Sequence, residues 1–245
     1  MCGIAGFCDY NSVLEKADLE GMVDALVHRG PDDSGYEITA LSGCTLGLGQ
    51  RRLSILDLSA NGHQPFKFDN LVLAYNGEVY NFKEIRVELV SFGYEFESDS
   101  DTEVIIKAFH KWGTRCVDRF IGMFSFAILD RNLNKLYMFR DRAGVKPFYY
   151  YVDDENLFFA SELKSLMSVK GFKRELDKVS LMTYFQYGYI PAPGSIFKGT
   201  KKLNAGHYIE FDIVTKKLTE TKYWDVLDFY GKPKLELSFE EASVK

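Results

Sequence analysis

Cys2, followed by Gly3, is the first residue of this chain whose type and place suggest chemistry. Its small side chain permits removal of Met1, which would leave a thiol and an α-amine on one residue. An α-amine titrates at about 7.7–8.0, so it can take the thiol proton directly or through a water. The thiolate is the competent nucleophile, and such a nucleophile needs no partner histidine. Taken alone, Cys2 is more simply a small residue near a chain end.

Three further segments carry usable groups. Asn76-Gly77 lies between apolar runs, which is a hairpin signal. Yet the chain becomes helically spaced from Phe82, so the second arm of such a hairpin is short. The same pair suits an oxyanion hole, with an Asn amide and a Gly N–H directed at one developing charge and no Gly side chain in the way. The residues leave both readings open. Ser98-Asp-Ser-Asp101-Thr-Glu103 precedes a helical stripe; this is a capping pattern, and an ionised Asp101 there could also hold an ammonium. In Gln50-Arg51-Arg52-Leu-Ser-Ile-Leu-Asp57 either arginine could grip a carboxylate in a bidentate fork, with Leu53, Ile55 and Leu56 read as core. A lone arginine is more often a solvated surface residue.

The elements that must hold these groups read as short strands at 3–7, 44–48, 71–75, 124–129, 136–139, 148–152, 157–160 and 207–211. Tight polar turns at 130–135 and 153–156 join neighbouring runs and imply antiparallel pairing. Helical spacing covers 18–27, the stripe Phe82, Ile85 and Leu89, and the stripe Val104, Ile105, Ala108, Phe109 and Trp112 behind a Ser100–Glu103 capping box. A further helix is expected near 180–187. Antiparallel sheets with amphipathic helices to cover them make an α+β layered sandwich. From Tyr223 the composition turns to Gly, Pro and charge, which reads as a linker, so the main domain is expected over 1–222.

Composition narrows the function classes. A hydrophobic fraction of 46% supports a sizeable core, and a net charge of −5 without a basic block argues against nucleic acid as a partner. No apolar run reaches the ~20 residues of a membrane span, and the N-terminus lacks a secretory pattern. Cysteines at 2, 8, 44 and 116 have neither CxxC spacing nor adjacent histidine pairs, so they read as reduced thiols of a cytoplasmic protein, with no metal site.

In order along the chain stand Met1-Cys-Gly-Ile-Ala-Gly6, His28-Arg-Gly-Pro-Asp-Asp-Ser-Gly35, Arg52-Leu-Ser-Ile55, Tyr75-Asn-Gly-Glu-Val-Tyr-Asn81 and Ser100-Asp-Thr-Glu103. Arg140-Asp-Arg-Ala-Gly-Val-Lys-Pro147, Ser161-Glu-Leu-Lys164 and Leu203-Asn-Ala-Gly-His207 follow. This ordered set resembles the class II glutamine amidotransferases, a branch of the N-terminal-nucleophile hydrolases, and within them the amidotransferase domain of asparagine synthases. The resemblance implies a four-layer α/β/β/α sandwich that hydrolyses glutamine. It makes Cys2 the nucleophile and base, Asn76 and the Gly77 N–H the oxyanion hole, Arg52 the carboxylate ligand, and Glu78 and Asp101 the ammonium ligands. His28 and the loop Arg29-Gly30-Pro31-Asp32 would shape the pocket, and a retained Met1 would block the amine.

The family's synthetase domain, with its Ser-Gly-Gly-x-Asp-Ser loop, has no counterpart here. Leu237-Ser-Phe-Glu-Glu-Ala is similar to that domain's first helix, so the chain is expected to be a fragment. ATP and Mg are expected in that missing domain, none being implied for these residues, and a homodimer is expected of the full-length form. The default acceptor of ammonia is aspartate. The alternatives are another acceptor such as a sugar acid, hydrolysis of a different amide, or an idle docking module.

Overall fold

A computed structural model describes residues 1–41, 43–54, 62–233, 236–238 and 240–241. Ile55, Leu56 and part of the helix expected from Leu237 therefore lie outside the described residues. The strands are, in chain order, β1 (Gly3–Asp9), β2 (Asp33–Leu41), β3 (Cys44–Arg52), β4 (Phe66–Phe68), β5 (Leu71–Val79) and β6 (Gly122–Asp130). They continue with β7 (Lys135–Arg140), β8 (Tyr149–Val152), β9 (Asn156–Ala160), β10 (Thr200–Lys202), β11 (His207–Asp212) and β12 (Lys217–Lys222). Helices are α1 (Lys16–Asp24), α2 (Phe82–Ser91), α3 (Asp101–Trp112), α4 (Leu163–Ser168), α5 (Lys178–Tyr187) and α6 (Leu227–Tyr230), with a 3₁₀ turn at Gly113–Asp118.

Among the described residues the strands form two six-stranded sheets, ordered β10-β8-β9-β1-β3-β2 and β12-β11-β7-β6-β5-β4. Strand pairing is antiparallel throughout both sheets. The period-2 alternation of a strand then sorts side chains into layers. On β1, Ile4 and Cys8 join Val72 and Ala74 of β5 and Leu129 of β6 in a cluster between the sheets. The alternate residues Ala5 and Phe7 pack with Leu19, Met22 and Val23 of α1 and Leu166 of α4. On β5 and β6, Leu71, Leu73, Phe126 and Ile128 pack instead with Ile85 and Leu89 of α2 and Val104, Ile105 and Ala108 of α3. Three cores between four layers make the α/β/β/α sandwich.

Two local expectations change. Asn76-Gly77 is no turn: both residues lie inside β5, opposite Ser125 and Phe124 of β6. The Ser100–Glu103 capping box is half made. Ser100 accepts from the Thr102 N–H at 3.1 Å, but Glu103 turns away to the Ser98 N–H at 2.8 Å and the Lys107 ammonium at 2.5 Å. The Glu103 carboxylate thus anchors the segment leading into α3, because a buried ammonium one turn on outcompetes a neutral N–H. Beyond β12 the chain stays fastened through the Tyr223 and Trp224 N–H groups, which donate to the Gly206 carbonyl at 2.9 and 3.1 Å.

Candidate active site

The start of β1, the end of β3 and the end of β5 meet at one end of the sandwich. The register sets Gly3 opposite Arg51 on β3, so Cys2 emerges beside Arg52 and Leu53. Cys2, Arg52, Asn76, Gly77, Glu78 and Asp101 all line a single cavity there. Sequence positions spread over about a hundred residues thus converge on one cavity.

The Cys2 sulfur accepts from the Leu53 N–H at 3.3 Å, and the thiol donates to the Leu53 carbonyl at 3.6 Å. Burial pushes the thiol above its ordinary range, while the Leu53 N–H, the N-terminal charge and Arg52 pull it down less strongly. With Met1 in place the Cys2 nitrogen is an amide and carries no basic lone pair.

Asn76 falls in the inward register of β5 and is 1% exposed. Neither its amide nitrogen nor its amide oxygen makes a hydrogen bond to a described residue. Buried amides are normally paired, so an idle one facing a cavity marks a ligand position. The Gly77 N–H is placed by a different route. Phe124, its opposite number, accepts from the Asp141 N–H at 2.8 Å and donates to the Asp141 carboxylate at 3.3 Å. Gly77 and Phe124 are therefore a non-hydrogen-bonded pair, and the Gly77 N–H turns to the other edge of β5. On that edge the N–H groups on either side are engaged: Tyr75 donates to Gln64 Oε1 at 2.8 Å and Val79 to Asp101 Oδ2 at 3.0 Å. A side chain at 77 is barred, since a Cβ would lie 2.3 Å from the Met123 carbonyl oxygen.

Arg52 is 7% exposed, and its guanidinium lies where a Cβ on Gly62 would fall, at 1.9 Å. Arg51 points the other way and pairs with Asp24, so of the two arginines it is Arg52 that lines the cavity. The Asp101 carboxylate, 4% exposed, accepts from the Tyr75 hydroxyl at 2.6 Å as well as from Val79. Burial raises it above the usual carboxylate range against the pull of those donors. A cation placed beside it would reverse that shift.

The other motifs build the support. Ser161 accepts from the Ile4 N–H at 3.0 Å through its hydroxyl and donates its own N–H to the Ile4 carbonyl at 2.8 Å, which pins β1. Arg29 donates from Nε to the Cys2 carbonyl at 2.9 Å and from Nη1 to Glu162 at 2.8 Å. His28 does not shape the pocket. It is absent from the cavity lining and pairs instead with Glu162 at 3.1 Å, as the Arg29 guanidinium does. Sequence reasoning gave no role to Gln64, Met123 or Lys146, which also line the cavity. Lys146 stood in a quoted motif, but Gln64 and Met123 had no local signal: the β5–β6 register sets Met123 opposite Glu78, and Gln64 enters by accepting from the Tyr75 N–H.

Known proteins resemble the chain at two levels. The family model described as "Glutamine amidotransferase domain" matches residues 1–224. A Methanocaldococcus jannaschii protein is 39% identical across 96% of this chain and 49% of its own length. Asparagine synthetase [glutamine-hydrolyzing] 3 of Bacillus subtilis is 37% identical across 92% of this chain and 37% of its own length. The chain thus spans half or less of the length of these relatives. Among solved structures, the glutamine phosphoribosylpyrophosphate amidotransferase of B. subtilis superposes with a TM-score of 0.66 over 91% of this chain and 49% of that one. At 16% identity, that likeness is one of fold.

Proposed function

The chain belongs to the class II glutamine amidotransferase family, and from that premise we propose that it hydrolyses glutamine to glutamate and ammonia. The observation that carries this reading is the Asn76 amide, without a partner among the described residues, which shares a cavity with Cys2 and Gly77. Arg52 would hold the substrate α-carboxylate, and Glu78 and Asp101 its α-ammonium. After removal of Met1, the freed α-amine takes the thiol proton, which burial of Cys2 otherwise retains at neutral pH. The sulfur then attacks the carboxamide carbon. The oxyanion is held by the Asn76 amide and the Gly77 N–H, the amine gives its proton to departing ammonia, and water cleaves the γ-glutamyl thioester.

On this reading the domain ends near residue 222, and the ammonia serves an ATP- and Mg-dependent synthetase domain outside these residues, in the cytoplasm, with aspartate as the default acceptor. The names of the relatives and their greater length support that part. Among the described residues no helix is long and apolar enough to cross a membrane.

The test is release of glutamate and ammonia from glutamine by protein whose N-terminus is shown by mass spectrometry to be Cys2. Protein retaining Met1, and Cys2→Ala, are expected to release none. Turnover by Cys2→Ala, or a folded and trimmed wild type without turnover, would remove the assignment.

A further inference from the structure

Lys146 lines the cavity yet has no part in the reaction just described. Its position is built with care. The Asp141 carboxylate, fully buried, accepts from the N–H groups of Ala143 at 3.1 Å, Val145 at 2.9 Å and Lys146 at 2.9 Å. Arg140 closes the same loop by donating to the carbonyls of Gly144 at 2.7 Å, Lys146 at 2.8 Å and Leu203 at 2.6 Å. The backbone of Lys146 is therefore held through both its N–H and its C=O.

The side chain so delivered is 2% exposed. Among the described residues its ammonium makes one hydrogen bond, to the Met1 sulfur at 3.1 Å. A thioether is a weak acceptor, and it belongs to the residue that must leave before Cys2 has an amine. Burial first, and then the Arg29 guanidinium, hold Lys146 below the usual lysine range, against smaller opposing effects of Cys2, Glu78 and Asp141. Arg52 and Asp101 also act on Cys2 from β3 and α3.

We infer that Lys146 is a positioning residue for the nucleophile, whose ammonium faces the α-amine of trimmed Cys2 and keeps that amine unprotonated. Two amines that share one cavity, one of them on a buried side chain, cannot both carry a proton without mutual repulsion, so the pair holds fewer protons than two isolated amines would. For a separation of about 5 Å and an effective dielectric of about 20–40, the displacement is about one pH unit or more. The inference rests on the glutaminase reading for its consequence, though not for its geometry.

The experiment is the pH profile of kcat/KM for glutamine in trimmed wild type, Lys146→Met and Lys146→Arg. The acid limb should move up by about one unit in Lys146→Met and stay with the wild type in Lys146→Arg. A Lys146→Met limb that coincides with the wild type overturns the inference, whatever the loss of stability. A second measurement needs neither variant nor turnover: the pH dependence of N-terminal acylation of trimmed wild type, read by mass spectrometry. It should place the amine below the ordinary ~7.7, and a value at or above that overturns the inference. A lowered amine without glutamate release would instead remove the glutaminase reading and leave the role of Lys146 standing.

Discussion

At the Cys2 sulfur, burial and hydrogen bonding oppose each other, and burial wins. The thiol is therefore protonated at neutral pH, and the proposed reaction calls for a base, which the α-amine would supply once Met1 is removed. The two proposed oxyanion donors are bound differently, which makes them separable by mutation. The Asn76 amide has no partner to lose among the described residues, so Asn76→Ala should leave stability nearly intact while lowering kcat by ~10²–10³. Arg52→Ala should act mainly on KM, because a carboxylate far from the reacting carbon is gripped equally in ground and transition states. Steady-state glutaminase kinetics on both variants, with a thermal melt of each, check the division.

Among the elements, β5 does the most to place the site: it turns Asn76 inward and Gly77 toward the cavity edge within one dipeptide. Gly77→Ala drives a Cβ to 2.3 Å from the Met123 oxygen and 2.7 Å from the Phe124 Cα, both backbone atoms that cannot give way cheaply. We expect a loss of about 1–3 kcal/mol in thermal or urea unfolding, together with reduced kcat.

The start of α3 carries a different test. Glu103, 2% exposed, is raised by burial but lowered more by Lys107, Ser98 and the N–H groups of Glu97 and Ser98, so its net value lies below the usual range. A depressed carboxylate stabilises the fold above its unfolded value of about 4.3, and that stability is lost as pH falls through the folded value. The wild type should therefore lose Tm below about pH 4.3. Glu103→Gln should be about 3–5 kcal/mol less stable at pH 7, with a shallower acid decline, as read by melts across pH 3–7.

For the whole molecule, the cluster between the sheets ties the site to the fold, since Cys2 is attached to one sheet and Asn76 to the other. Leu129 is fully buried in that cluster. Leu129→Ala should cost about 2–5 kcal/mol in equilibrium unfolding. Because the sheets carry opposite halves of the site, any loosening of their contact should lower activity before either sheet unfolds. A mild denaturant series that follows glutaminase turnover and far-UV circular dichroism together would show activity falling first.

Central strands were legible in the sequence because they are buried on both faces and read as apolar runs; those read at 3–7, 44–48 and 71–75 became β1, β3 and β5. The strands that escaped notice, β2, β4, β10 and β12, are the outermost of the two sheets, where polar residues face solvent and alternation fades. Residue types at Cys2, Asn76, Arg52 and Asp101 offered a chemistry but left simpler readings open, since a group's reactivity is intrinsic while its use is not; the ordered motifs and their resemblance to a family are what implied the roles. Whether Asn76-Gly77 was a turn or a strand end, which arginine faced inward, and that His28 faced out were decided by pairing between segments far apart in sequence. Such pairing leaves no local trace, so Gln64, Met123 and the aim of Lys146 became visible only once the two sheets had closed on each other.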